Sequence, residues 1–130
     1  MRWPMADNTL GVLLLSGDHD RAHYAFSLVT TAAALGRPAI LFATNRGCLA
    51  LMSDWHALKD AGRDTLIQAR GVAGLDTLRA AAGDLGVRLL ACEAGLKAEG
   101  LDPSKLLREA EVSGLATFLH DVGAGRIVSI

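Results

Sequence analysis

The sequence predicts an α/β fold: a single three-layer domain in which a five-stranded, mostly parallel sheet carries helices on both faces. Two observations predict it. Short apolar runs bounded by turn residues alternate with segments of helical spacing, an order that requires crossover connections and hence parallel strands. The runs are also apolar through most of their length rather than at every second position, as strands buried on both faces are. At 130 residues the chain is the size of one domain, long enough to bury roughly 70% of the surface its unfolded form exposes.

The first strand is read at Leu10 to Leu15, closed by Ser16-Gly17-Asp18. Asp18 or Asp20 is placed to cap the following helix, which runs through Tyr24, Phe26, Leu28 and Val29 to Leu35 and stops at Gly36. Pro38 leads into a second strand, Ala39 to Ala43, and Thr44-Asn45-Arg46-Gly47 turns the chain into a short helix at Cys48 to Met52. From Ser53 to Gly71 charges and a central Gly62 break the pattern, predicting an irregular excursion with one short helix. Leu75, Leu78, Ala81, Ala82 and Leu85 fall at helical spacing, and Gly86 ends that helix before a third strand, Val87 to Ala91. Short helices at 95–98 and from Pro103 to Leu107 precede a brief fourth strand at Glu109 to Val112. A helix from Leu115 to Gly123 and a fifth strand, Arg126 to Ile130, complete the order. Residues 1–8 read as a flexible tail.

Composition narrows the function. A formal net charge of -1 with 21% charged residues provides no basic field for nucleic acid. The first residues lack the apolar core of a signal peptide, and no stretch offers 18 uninterrupted apolar residues, so a cytoplasmic protein without membrane insertion is expected. Two cysteines, Cys48 and Cys92, are too few for a secreted disulfide framework and form no Cys-x-x-Cys pair. Between Ala22 and Gly36 there is no Asp, Glu, Lys or Arg. A surface helix normally keeps a charged face, so this one is expected to bury its second side in a homo-oligomer interface, or else under a loop of its own chain.

Cys92 is the first candidate for chemistry, because it falls where the third strand stops and a helix begins, at the carboxyl edge of an open sheet. Amides at Ala94 and Gly95 could stabilise a thiolate and Lys97 could add positive charge, whereas Glu93 would oppose both. The alternative is a small buried hydrophobe ending a strand. Cys48 also follows a strand. In a sheet ordered 2-1-3 one strand would separate the two cysteines, roughly 10 Å at about 4.8 Å per strand, too far for a relaxed disulfide. A packed helix cysteine is therefore expected at Cys48.

His19 and His23 have the i, i+4 spacing that suits zinc, yet Asp20 stands where the metalloprotease motif has Glu and no third ligand is near, so no metal is expected. The loops Ser16-Gly17-Asp18 and Asn45-Arg46-Gly47 fall at the same sheet edge as Cys92 and could bind an anion through their amides. They lack the Gly-x-Gly-x-x-Gly and Walker patterns, and no cofactor is expected.

Four segments resemble the DsrE/DsrF-like family, whose sulfur-relay members pass sulfur between proteins. They are Leu14-Leu15-Ser16-Gly17-Asp18 with the apolar helix after it, Gly36 to Phe42, Gly86 to Cys92, and Glu111 to Leu119. Their order and spacing extend the resemblance over nearly the full length. It implies a five-stranded α/β fold, assembly as a dimer, trimer or hexamer, and, in sulfur-relay members, a cysteine after the third strand that carries persulfide sulfur between a donor and an acceptor protein. Cys92 matches that cysteine. The expected function is thus a persulfide carrier. The rival is a non-catalytic oligomeric module that binds a small anion or a protein partner at the sheet-edge loops, with Cys92 incidental.

Overall fold

The computed structural model describes residues 8–130, so the tail expected over residues 1–8 lies, Asn8 apart, outside the described residues. Five strands form one sheet: β1 (Leu10–Leu14), β2 (Ala39–Ala43), β3 (Arg88–Cys92), β4 (Ala110–Ser113) and β5 (Arg126–Ser129). All four strand pairings are parallel. The helices are α1 (His19–Ala34), α2 (Arg63–Ala69), α3 (Leu75–Asp84), α4 (Glu93–Ala98) and α5 (Leu115–Val122), with 3-10 segments at Asn45–Leu51 and Pro103–Lys105.

The strand order is β4-β3-β2-β1-β5, which corrects the 2-1-3 order expected from the sequence. Steps from β1 to β4 all move the same way, so right-handed crossovers lay their helices on one face. The return from β4 to the far side of β1 moves the opposite way and carries α5 over the other face. Side-chain alternation records this division. Val12, Leu14, Leu41 and Leu89 pack with Phe26 and Val29 of α1 and Leu75 and Ala82 of α3. Ile40, Phe42 and Leu90 point to the opposite face and pack with Phe118 and Val122 of α5. There the Phe42 and Phe118 rings stack at 4.9 Å between centroids. Each large apolar side chain so buried contributes about 1.5–3 kcal/mol.

One side of helix α1 faces the sheet, and α3 lies against another. A third side, with Tyr24, Thr31 and Leu35, stays exposed and carries no charge within 22–36. Asp18 occupies the N-cap position of α1 but its carboxylate makes no cap bond. Its backbone N–H instead donates to Ser16 Oγ at 3.1 Å, and Asp20 accepts the Arg21 N–H at 2.8 Å. The expected capping carboxylate is thus absent: Asp18 enters the turn through its backbone N–H, and the Asp20 carboxylate accepts from Arg21.

The excursion after the Asn45–Leu51 segment is held down by buried polar groups. His19 Nε2–H donates to Asp64 Oδ1 at 2.7 Å, and Asp64 also accepts the Leu75 N–H and the Gln68 amide, both at 2.8 Å. Arg79 of α3 is buried and its guanidinium donates to the carbonyls of Ala50, Met52 and Ser53. Trp55 Nε1–H donates to Asp76 at 2.7 Å. Irregular backbone can run inward here because its carbonyls have partners.

At the carboxyl edge of the sheet the loops touch through glycines. A Cβ at Gly47 would strike the Leu14 carbonyl, and one at Gly95 would strike the Asn45 amide and the Thr44 side chain. Neither obstacle is a flexible side chain. Gly47→Ala is therefore expected to destabilise the fold by about 1–3 kcal/mol through overpacking. Chemical denaturation measures this, and an unchanged unfolding midpoint would show that the loops separate freely.

Candidate functional site

The end of β3 delivers Cys92 to the start of α4 and makes it the N-cap residue. Cys92 Sγ accepts the Gly95 N–H at 3.3 Å, so an otherwise unpaired amide of the first turn is aimed at sulfur. Alternation along β3 turns the side chain away from α1 and toward the α5 face, where it joins Ile40, Phe42, Leu90 and Phe118. It remains 8% exposed. The sulfur borders an open hollow of about 400 Å³ lined by Cys92, Glu93, Ala94, Lys97, Gly114 and Leu115. Gly114 and Leu115 arrive because β4 pairs with β3 and sets Ser113 opposite Cys92.

Lys97, expected to supply positive charge, lies in the same hollow but donates to Glu93 at 3.2 Å. Lysine and carboxylate are largely solvated and offset one another, which leaves the backbone amide as the group in contact with sulfur. Ser16, Gly17, Asp18, Asn45, Arg46 and Gly47 do not line the hollow. Their polar groups bind one another and neighbouring segments. Gly47 N–H donates to the Leu15 and Thr44 carbonyls, and the Gly17 carbonyl accepts the Lys59 N–H. Arg46 lies over Gly17. The two loops form a locked edge.

Cys48 sits next to Cys92 in the fold, since β2 and β3 are neighbours with no strand between them. The separation of one intervening strand expected from the sequence is thereby corrected. Their chemistry still differs. Cys48 is fully buried on the α1 face and its thiol donates to the Ala43 carbonyl at 3.5 Å. Burial, together with the nearby Cys92 sulfur, pushes the Cys48 thiol up to about 11. It stays protonated at neutral pH and is a packed residue.

His19 and His23 do stack on one helix side, with ring centroids 5.8 Å apart. Their nitrogens are engaged otherwise. His19 Nε2 serves Asp64, His19 Nδ1 accepts from Arg63 at 3.3 Å, and His23 Nε2–H donates to the Ala73 carbonyl at 2.8 Å. Among the described residues no group of three or more His, Cys, Asp or Glu is placed to hold a metal ion. Asp64, Arg63 and Arg79 were not singled out by sequence reasoning. Their partners lie 11 to 45 residues away, beyond any local pattern.

No family model matches the chain, and no curated protein matches its sequence. Solved structures do match. The ychN protein of E. coli superposes with a TM-score of 0.67 at 9% identity, over 95% of this chain and 99% of that one. A protein of unknown function from Methanobacterium thermoautotrophicum, MTH1491, gives 0.62 at 18% identity over the same shares. The ychN protein has the DsrE/DsrF-like fold, and at these identities the likeness is one of fold. Among the described residues no helix is long and apolar enough to cross a membrane.

Two outcomes are expected from this geometry. In the folded protein near pH 8, iodoacetamide should modify Cys92 and leave Cys48 untouched until denaturant is added, as read by peptide mass mapping. Modification of Cys48 at the rate of Cys92 would contradict its assignment as a packed thiol. The second concerns Asp64. Burial alone raises its pKa, but hydrogen bonds from His19, Leu75 and Gln68 and the attraction of the imidazole outweigh burial and hold it below the usual carboxylate value. Ionised Asp64 thus favours the folded state. That contribution is present above the unfolded value, near 4, and is lost as pH falls through the folded value. Denaturation at about pH 6 and pH 3 should show a smaller acid loss in Asp64→Asn than in the native chain, and parallel losses would remove Asp64 from the acid response.

Proposed function

We propose that the chain is a persulfide carrier in intracellular sulfur transfer, with Cys92 as the sulfur-accepting residue. The observation that carries the reading is the Cys92 sulfur at the β3 to α4 junction. It accepts the Gly95 amide at 3.3 Å and faces an open hollow. The resemblance of Gly86 to Cys92 and the neighbouring segments to sulfur-relay proteins supports it, as does the DsrE/DsrF-like fold of ychN.

In the first step the Cys92 thiolate attacks the outer sulfur of a donor persulfide. A sulfur–sulfur bond forms to Cys92, the donor's own sulfur–sulfur bond breaks, and the donor leaves as a thiolate. In the second, an acceptor thiolate attacks the outer sulfur on Cys92, and the Cys92 thiolate is the leaving group. Electrons balance across the pair of exchanges without an external oxidant. The Gly95 N–H, 3.3 Å from Cys92 Sγ, is the donor in contact with the sulfur that attacks and later departs. The open hollow gives the outer sulfur a place that a partner's cysteine can enter.

The reading places the protein in the reducing cytoplasm, where both thiols stay free, and treats it as a relay between proteins. It includes self-association, for which helix 22–36 offers an uncharged surface with Tyr24 and Leu35 exposed, away from the Cys92 hollow.

Intact mass spectrometry after exposure to inorganic polysulfide tests the carrier. The native chain and Cys48→Ser should each gain one sulfur atom that dithiothreitol removes, and Cys92→Ser should gain none. An adduct retained in Cys92→Ser, or absent from all three, would sink the proposal.

A further inference from the structure

The reversal of strand order falls between β1 and β5, two strands away from β3. β5 is an edge strand and all of its residues are exposed. Alongside it, on the α1 side, lies an open groove of about 510 Å³ lined by Asp20, Arg21, Tyr24 and Leu28 of α1, Arg63 of α2, and Val128 and Ile130. None of these residues borders the Cys92 hollow.

Its chemistry is two-sided. Tyr24 is 62% exposed and Val128 38% exposed, so an aromatic ring and aliphatic side chains form an apolar wall open to solvent. Against it stand the guanidiniums of Arg21 and Arg63 and the carboxylate of Asp20. Asp20 is already turned to its own helix, accepting the Arg21 N–H.

Arg63 is held in place by a buried chain of hydrogen bonds. Its NH1 donates to His19 Nδ1 at 3.3 Å, and His19, which is fully buried, donates through Nε2 to Asp64 at 2.7 Å. The Leu75 amide and Gln68 fix Asp64 in turn. A surface arginine normally loses rotamer freedom when it binds. One oriented from beneath by an immobile imidazole has lost much of it already, and its remaining N–H donors keep a fixed direction. Carboxylates and phosphates match that fork.

We propose that this groove is a second site, which binds a small organic anion: a phosphate or carboxylate head between Arg21 and Arg63, and an apolar body on Tyr24, Leu28 and Val128. Its volume falls in the range of about 300–1,000 Å³ usual for small-molecule sites. His19 and Asp64 are positioning residues for Arg63. The site is independent of the sulfur chemistry at Cys92.

Calorimetric titration with phenyl phosphate, inorganic phosphate and phenol tests the proposal on the native chain, Arg21→Gln and Arg63→Gln, with thermal unfolding as the check on folding. Phenyl phosphate should bind at least about tenfold more tightly than either fragment. Each substitution should weaken it by about tenfold; Arg21→Gln should leave the unfolding midpoint in place, whereas Arg63→Gln, which removes the donor to His19 Nδ1, should lower it. Methyl resonances of Val128 and Ile130 should shift on binding to the native chain, which locates the site even if one variant folds poorly. Equal affinity for inorganic phosphate, unchanged binding in both variants, no shift at Val128 and Ile130, or no binding of phenyl phosphate would each overturn the proposal.

Discussion

Contact between the loops at the carboxyl edge of the sheet is the constraint on which the site depends. Gly47 lies against the Leu14 carbonyl and Gly95 against the Asn45 amide, so the segments after β1, β2 and β3 are stacked without side chains between them. This close approach fixes the start of α4 relative to β2 and thereby fixes the amide that faces Cys92. A side chain at either position would separate the loops by the width of a methyl group. The donor at Gly95, 3.3 Å from sulfur, would then drift from it.

Burial of polar groups supports the same edge from below. Arg79 donates to three carbonyls where the 3-10 segment ends, and the Asp64–His19 pair ties α2 and the start of α3 to the first turn of α1. Removing His19 or Arg79 would leave the buried groups it serves unpaired away from water, at roughly 1–3 kcal/mol for each unsatisfied group. The excursion is thus fastened at its two ends by different chemistry, a guanidinium on carbonyls and a carboxylate on an imidazole. Its middle is held by Trp55, which bonds Asp76 and packs beside His19.

The first three strands were legible because each is an apolar run closed by turn residues, and β4 and β5 by their place in the alternation. Ala39 to Ala43 was read with the bounds it has, and the others within one residue. Strand order was not legible. It depends on which way each crossover steps, and the 2-1-3 and 3-2-1 arrangements use identical elements. That single difference moved Cys48 beside Cys92 and moved the switch point to β5. Cys92 was legible as a strand-end residue, but Gly114 and Leu115 enter its hollow only through the pairing of β3 with β4. Asp64 lay in a charge-rich stretch that read as an irregular excursion, and nothing near it in the chain announces a partner 45 residues away.

Two cysteines on adjacent segments become unlike because the sheet is covered unequally. Toward α1 and α3 the packing is deep, and Cys48 points there, sealed from water and held as a thiol. The other face is covered by α5, eight residues long, which must span the return from one edge of the sheet to the other. Phe118 and Val122 bury against Ile40, Phe42 and Leu90, while Leu115, in the first turn, is left half exposed beside Cys92. The alternation of β3 turns Cys92 toward this thinner cover, whereas Cys48 is sealed on the opposite face.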